Sequence, residues 1–464
     1  MSDVIRALID ALGPERVLTD ALVSVRNTAD AASLPPLRPA ALVRPESTAE
    51  VATCLRICNT LHQPVVIQGG MTGLAGGAHP QPGEIALSLE RMVGIEEIDT
   101  QSGTLTALAG TTLAAIQDAA AEAGFLYGVD LGARGTCTIG GNVATNAGGN
   151  QVLRYGMTRR NVLGLEVVLA DGRVLRSLNK MLKNNAGYDW PQAIIGSEGT
   201  LGVITRVVVS LHPRPTGIQS ALLAVGSVAD AVSLLRRFDA LLPGRLLVFE
   251  AMWREYMTVT VERAGLTRPF PGDPDLTILI EAAMGEDGSS GADAFAETLG
   301  LLLDEGLVTD AVVAQSQADR QRFWAYREAN YAFGRLLPKG AHFDVSIPLA
   351  RMGEAVARLR AEVAARWPSA IPIVFGHLAD SNLHIGIYTP DFDAAMGRAI
   401  NKSVYAIVAD THGSVSAEHG IGTLKRPYLP LSRSETEIAV MQAIKHTLDP
   451  HAILNRGRVL PDPA

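Results

Sequence analysis

The sequence predicts an α+β chain of more than one domain. Three observations carry that expectation. The chain has 464 residues, β-prone runs alternate with amphipathic helical segments, and three glycine-rich segments border such runs in the first half. One hydrophobic core does not sustain this length, so two or three domains are expected. Apolar residues make up 47% and charged residues 19%, a globular balance and not that of a disordered chain.

Residues 45–61, PESTAEVATCLRICNTL, predict a helix. Ser47 and Glu50 have the spacing of a capping box. Val51, Cys54, Leu55 and Cys58 fall at i, i+3, i+4 and i+7, one buried stripe, which makes both cysteines small core residues. PVVIQGG reads as a buried strand running into a glycine turn. EIALSL, LTALAG, LEVVLADG and VITRVVVSL are further strands, the third closed by an Asp-Gly turn. Around Arg214, HPRPTG is proline-rich punctuation and marks a domain boundary. Beyond it, strands such as ALLAVGS and LTILIEA alternate with the helices VADAVSLLRRFDALL and GADAFAETLGLLLDEG. MGEAVARLRAEVAARW is a further amphipathic helix. That alternation suits an antiparallel sheet with helices on one face. The tail is helical from Ser432 to about Leu448 and ends near Pro450.

The N-terminus, MSDVIRALIDALGPE, has acids where a signal peptide needs bases. No run reaches the roughly eighteen apolar residues of a membrane span, so a cytoplasmic protein is expected. The net charge of -8 argues against nucleic acid or an acidic membrane as partner. Cys54, Cys58 and Cys137 form no CxxC pair and suit a reducing compartment.

The glycine-rich segments are QGGMTGLAGGA (Gln68 to Ala78), GTCTIGGNVATNAGG (Gly135 to Gly149) and GSEGTLGVIT (Gly196 to Thr205). Glycines grouped with Thr, Ser and Asn expose backbone N–H groups and let the chain close on an anion such as a pyrophosphate. Turns alone explain any one segment; three in series are harder to dismiss. No GxGxxG follows the first strand and no GxxxxGK[ST] occurs, which disfavours a Rossmann dehydrogenase or a P-loop enzyme.

His377 and His384 stand seven residues apart in FGHLADSNLHI. DSN is a turn signal between IPIVFGH and LHIGIY. A reversal there puts the two on neighbouring antiparallel strands or at their ends, within about 5 Å of each other. Glu418, in VSAEHGIG, is a third candidate ligand. Two imidazoles and a carboxylate make a divalent-metal site, and zinc suits it. From the residues alone a hydrogen-bonded histidine pair is the commoner outcome. Arg327, in FWAYREAN, reads from the sequence alone as a solvated arginine beside Glu328 on a helix.

The segments QGGMTGLAGG, TIGGNVATNAGG, NNAGYDW and IGSEGTLGVIT resemble the PCMH-type FAD-binding domain of the vanillyl-alcohol-oxidase-like flavoproteins. With FDVSIP, FGHLADSNLH, SAEHGIGTLK and ILNRGRVL they resemble the FAD-linked D-2-hydroxy acid dehydrogenases of that superfamily. That group includes D-lactate, D-2-hydroxyglutarate and glycolate dehydrogenases. The resemblance runs from Arg44 to Leu460. It implies an FAD-binding domain of two α/β parts with an N-terminal helix over residues 1–214. A substrate-binding cap with an antiparallel sheet covered by helices would occupy 215–385. A C-terminal segment, 386–464, would return to the FAD.

On that resemblance Gly69, Gly70, Met71, Thr72, Gly73 and Leu74 would wrap the pyrophosphate. Leu131, Gly135, Thr136, Thr138, Ile139, Gly140, Gly141, Ala144, Thr145 and Asn146 would line the pyrophosphate and the flavin. Glu198, Gly199, Gly202 and Ile204 would complete the wall, with Asn455 facing the flavin. Some relatives attach FAD through a histidine near the place of Met71, so FAD is expected to be non-covalent here. His377, His384 and Glu418 would hold a divalent metal, with zinc the expected ion, and His419 would be the general base. Arg327 would clamp the substrate carboxylate, where a planar fork fits better than a lysine. Asn382, Lys425, Tyr331 and His342 would complete the substrate site. The implied activity is metal-assisted oxidation of a D-2-hydroxy acid, with hydride transfer to flavin N5. Electrons would pass to a quinone, an electron-transfer flavoprotein or a similar non-NAD acceptor, and a homodimer is common in the family.

Three positions depart from the pattern expected of dicarboxylate-selective relatives. Threonine, lysine and asparagine are expected there; Tyr331, His342 and Gly386 stand in their places. Each loses or alters a group for a second carboxylate, so D-2-hydroxyglutarate and another acid such as D-lactate both stay open. LNRGR, Leu454 to Arg458, replaces the usual proline and lysine. A zinc hydrolase on the same histidines is an alternative, though HExxH is absent and the glycine segments would then have no task. A non-catalytic flavin-binding electron-transfer subunit is another.

Overall fold

The computed structural model describes residues 2–285 and 289–461. The chain divides into two compact units. The first comprises 1–149, 155–214 and 418–464, the second 150–154 and 215–417.

In the first unit a helix, Asp3–Leu12, is capped by Ser2 and buries Val4, Ile5, Leu8 and Leu12. Strands β1 (Val17–Leu18), β2 (Ala41–Val43), β3 (Val65–Gln68) and β4 (Ile85–Ser88) form a sheet of order β1-β2-β4-β3. Strand β4 runs parallel to both β2 and β3. Parallel strands are covered on both faces and read as continuous apolar runs, which is why IALS carries no alternation. The helix Thr48–Thr60 joins β2 to β3 and buries Val51, Cys54, Leu55 and Cys58. Only half of the expected capping box forms. Ser47 accepts the Glu50 N–H, but the Glu50 carboxylate takes the Glu46 N–H at 2.7 Å, one residue before the cap.

Strands β5 (Ile95–Asp99), β6 (Thr104–Leu108), β7 (Phe125–Leu126), β8 (Val162–Val168), β9 (Val174–Ser177), β10 (Val203–Ser210) and β11 (His212–Pro213) follow. Strands β7 and β11 pair with each other, and the rest form an antiparallel sheet of order β5-β6-β10-β8-β9. The Asp171-Gly172 turn closes the β8–β9 hairpin, with Gly172 at φ 82°. The last helix, Glu435–Leu448, carries a complete capping box between Ser434 and Glu437.

The second unit is built on β12 (Ile218–Val225), β13 (Leu246–Trp253), β14 (Leu276–Ala283), β15 (Asp310–Val313), β16 (Gly340–Ser346), β17 (Ile371–Gly376) and β18 (Asn382–Tyr388). All pairs are antiparallel, in the order β15-β12-β14-β13-β17-β18-β16. Helices cover both faces of this sheet, not one. Tyr256, Phe323, Tyr326 and Phe333 pack with Leu222, Met252, Leu279 and Ile373 on one face. Val356, Leu359, Val404 and Val408 meet Leu383 and Ile385 on the other. The reason is visible in β13, whose residues are all buried: a strand apolar on both sides needs cover on both.

The expected boundary at 386 falls inside β18, an inner strand of the sheet, and the helix Ala394–Asp410 belongs to the same unit. The chain re-enters the first unit at Glu418 instead. Among the described residues no helix is long and apolar enough to cross a membrane.

Candidate active site

The three glycine segments meet within the first unit. Loop 69–74 leaves the end of β3 half-buried, with Leu74 exposed and Met71 at φ 60°. A Cβ on Gly70 would lie 2.3 Å from the Thr136 carbonyl oxygen and one on Gly69 2.7 Å from Thr138 Oγ1, so the first two segments press together with no room for side chains. Among the described residues, the N–H groups of Gly70 through Leu74 donate to no protein acceptor. Half-buried backbone donors in a glycine loop fit an anion such as the FAD pyrophosphate.

The second segment folds into the helix Ile139–Thr145, capped by Thr138, whose hydroxyl accepts the Gly141 N–H at 3.4 Å. Gly140 donates to the Ala109 carbonyl, and Asn146 ends the helix at φ 49°. Gly135 and Thr136 are exposed ahead of the helix, while Leu131, Ala144 and Thr145 are half-buried. In the third segment Glu198 stands buried at φ 51° and donates its N–H to Ala144. Its carboxylate accepts the N–H groups of Ile421 at 2.7 Å and Gly422 at 2.8 Å. Burial pushes the Glu198 carboxyl up, and those N–H groups and the Lys425 charge offset part of that rise. Asn455 accepts from the Ile67 N–H at 2.8 Å and donates to the Glu198 carbonyl at 2.5 Å. Gly199, at φ 74°, lies against Asn455 and Ile67, and Gly202 and Ile204 are buried at the start of β10. One buried acid and one buried amide thus tie together β3, the second segment, the third segment and the return of the chain.

A second cluster forms within the other unit. Strand β17 ends at Gly376, Ser381 turns the chain at φ 71°, and β18 runs back antiparallel with His384 opposite Phe375. The rings of His377 and His384 lie 5.5 Å apart, nearly perpendicular. Arg327, in the last turn of the helix Gln317–Glu328, is 7% exposed and not solvated. Its guanidinium carbon sits 4.9 Å from the centre of the Phe375 ring, which also contacts His384. Arg327 Nε donates to Glu250 Oε2 at 2.5 Å, and the other carboxylate oxygen of Glu250 meets His377 Nδ1. Burial pushes the Glu250 carboxyl up, and its pairing with His377 and Arg327 more than reverses this, holding it at about 2.

Glu250 was not among the residues expected at the site. Its one signal in the sequence is an acid alone among seven apolar residues in LLVFEAMW. With His377 Nδ1 engaged, the ring can offer an ion only Nε2, and a ring nitrogen of His384 lies within 4.8 Å of one of His377, close enough for the two to share a divalent ion.

Beside this cluster Asp344 is buried opposite His384 and accepts the Asn382 side-chain amide and the Ala417 N–H, each at 3.2 Å. His342 is exposed on the same strand, opposite Gly386, with its ring centre 5.1 Å from that of Tyr388 in an edge-to-face arrangement. The Tyr388 ring fills the space that a Cβ on Gly386 would need, at 2.5 Å. Tyr331 is 68% exposed and stands outside the buried cluster. Glu418 and His419 open the returning segment of the first unit, where Glu418 accepts the Gly149 N–H at 2.7 Å and Lys425 is buried.

Two family models match the chain: FAD binding domain over residues 39–177, and FAD linked oxidases, C-terminal domain, over residues 214–459. The chain is similar to D-2-hydroxyglutarate dehydrogenase, mitochondrial, of Bos taurus, at 41% identity over 428 residues, 90% of this chain and 76% of that protein. It is 39% identical over 429 residues to D-2-hydroxyglutarate dehydrogenase of Xanthomonas citri pv. viticola, 91% of this chain and 89% of that one. Among solved structures it resembles p-cresol methylhydroxylase with substrate bound, with a TM-score of 0.80 at 17% identity over 98% of this chain and 96% of the other. At that identity the likeness speaks for the fold.

Proposed function

Because the chain belongs to the FAD-linked D-2-hydroxy acid dehydrogenases, flavoproteins of PCMH-type α+β fold, we propose that it oxidises a D-2-hydroxy acid to the 2-oxo acid with the help of a divalent metal. The observation that carries this reading is the grouping of the buried Arg327 and His377 with the half-buried His384 around Phe375 at the end of an antiparallel sheet. A carboxylate clamp beside two imidazoles is what a small hydroxy acid needs.

FAD would be held by the glycine segments of the first unit, and zinc by His377, His384 and Glu418. Glu418 is the residue after Ala417, whose N–H is anchored on Asp344 opposite His384. When bound, FAD supplies acceptance of a hydride and the ion supplies Lewis acidity toward the hydroxyl oxygen. Arg327 offers its two terminal nitrogens to the substrate carboxylate and so orients the α-carbon. His419 takes the hydroxyl proton on a ring nitrogen. Asn382 and Lys425 complete the polar lining, and electrons leave to a quinone or an electron-transfer flavoprotein.

The names of the relatives put D-2-hydroxyglutarate first among substrates. The ring-walled surround of His342, Gly386 and Tyr388 favours a second reading, an acid without a second carboxylate such as D-lactate. An anaerobic screen of D- and L-2-hydroxy acids, followed by flavin bleaching, separates them. One D-acid should bleach the flavin, its L-enantiomer should not, and a chelator should stop the reaction until zinc is returned. Bleaching by no hydroxy acid would defeat the proposal, and bleaching indifferent to chelator would remove the metal. His419→Asn should keep FAD and lose reduction by substrate by about 10²-fold or more; normal reduction in that variant rules out the base.

A further inference from the structure

Building on that reading, we propose that Glu250 is a positioning residue that aims the metal ligand His377 and the substrate clamp Arg327 with a single carboxylate. Glu250 lies on β13 immediately before Ala251, which pairs with Gly376, the residue before His377. It is 1% exposed in a strand whose other residues are all apolar. A carboxylate buried there is destabilising unless both oxygens are paired, and well-packed apolar residues would serve stability as well or better. Both oxygens are paired, one with Arg327 Nε at 2.5 Å and the other with His377 Nδ1.

The two contacts settle two directions. Engaging Nδ1 sets the tautomer and rotation of His377, so that Nε2 is the nitrogen given to an ion, the usual work of a carboxylate behind a histidine ligand. Engaging Nε, with the guanidinium held over Phe375 at 4.9 Å, sets the plane of Arg327 and therefore where its terminal nitrogens point. Because one group sets both directions, disturbing it should weaken metal binding and carboxylate binding together.

The test uses the full chain with FAD bound and compares wild type with Glu250→Gln and Glu250→Asp. An amide keeps the shape but cannot accept from both partners. Glu250→Gln should lower zinc affinity, measured by competition with a chelating dye, by about 10- to 100-fold. The KM for the hydroxy acid should rise by at least a similar factor, with the FAD-to-protein ratio unchanged. Glu250→Asp, which keeps the charge, should recover part of both losses. Wild-type zinc affinity and KM in Glu250→Gln would overturn the assignment, as would a lower melting temperature with both quantities intact, the mark of a merely structural acid. Should Glu250→Gln fail to fold, Glu250→Asp carries the test, and wild-type values there overturn it equally. A wild type that binds no zinc and is bleached by no hydroxy acid would instead bring down the functional reading, and this inference with it.

Discussion

Arg327 remains charged at 7% exposure because Glu250 meets it. Burial lowers the guanidinium's hold on its proton, and the Glu250 carboxylate more than restores it. Lysine in its place would bring a point charge that cannot hold Glu250 and present two parallel donors at once. Arg327→Lys should therefore raise the KM for the hydroxy acid about tenfold or more, the effect of losing roughly 1.4 kcal/mol, while flavin content stays unchanged. An unchanged KM would dismiss the clamp. In the sequence Arg327 looks like any arginine near the end of a helix, because its partner lies 77 residues away on a strand. The cysteines were easier to read. Cys54, Cys58 and Cys137 are buried and free, and burial pushes the Cys137 thiol up. Iodoacetamide should leave the native protein unmodified and label all three thiols after denaturation, as counted by mass; labelling of the native protein would contradict the packing.

At the scale of elements, the first glycine loop works by what it lacks. A methyl group on Gly70 would strike the Thr136 carbonyl and the Cys137 Cα at 2.3 and 2.7 Å, and neither is the end of a flexible side chain. Gly70→Ala should force the two segments apart, at a cost of about 1–3 kcal/mol. The purified variant should carry less FAD and melt earlier than wild type; a fully loaded variant with an unchanged melting curve would show that the segments need not touch. The loop, the helix Thr48–Thr60 and the reversal at Ser381 were legible because each is written in neighbouring residues: glycine spacing, an apolar stripe, a turn triplet. Strand β13 was not, since LLVFEAMW shows no alternation and its acid has no local explanation. The double cover of the second unit's sheet was missed for the same reason, because alternation of strands and helices along the chain does not say which face each helix takes.

Across the first unit, Glu166 on β8 gathers Thr48 from the crossover helix at 2.6 Å and Thr205 and Arg206 from β10 at 3.0 and 2.5 Å. Burial raises its carboxyl, but the bonds from Thr48, Arg206 and Thr205 outweigh burial and leave it below the usual value of 4.5. A carboxylate depressed on folding stabilises above its unfolded value, and that stability drains away as pH falls through the folded one. Thermal unfolding followed from neutral pH to below 4.5 should therefore fall more steeply in wild type than in Glu166→Gln; parallel curves would show that Glu166 does not contribute. The sequence by itself determined the α+β class, the strands and helices with a clear period, the glycine segments and the turn between the two histidines, all of which depend on residues close in the chain. Only the tertiary structure decided that Glu250 joins His377 across 127 residues and Arg327 across 77, that helices cover both faces of the large sheet, and that the chain returns at Glu418. Those outcomes depend on which strands lie side by side, and backbone pairing is chemically alike for every strand, so no short stretch of residues records it.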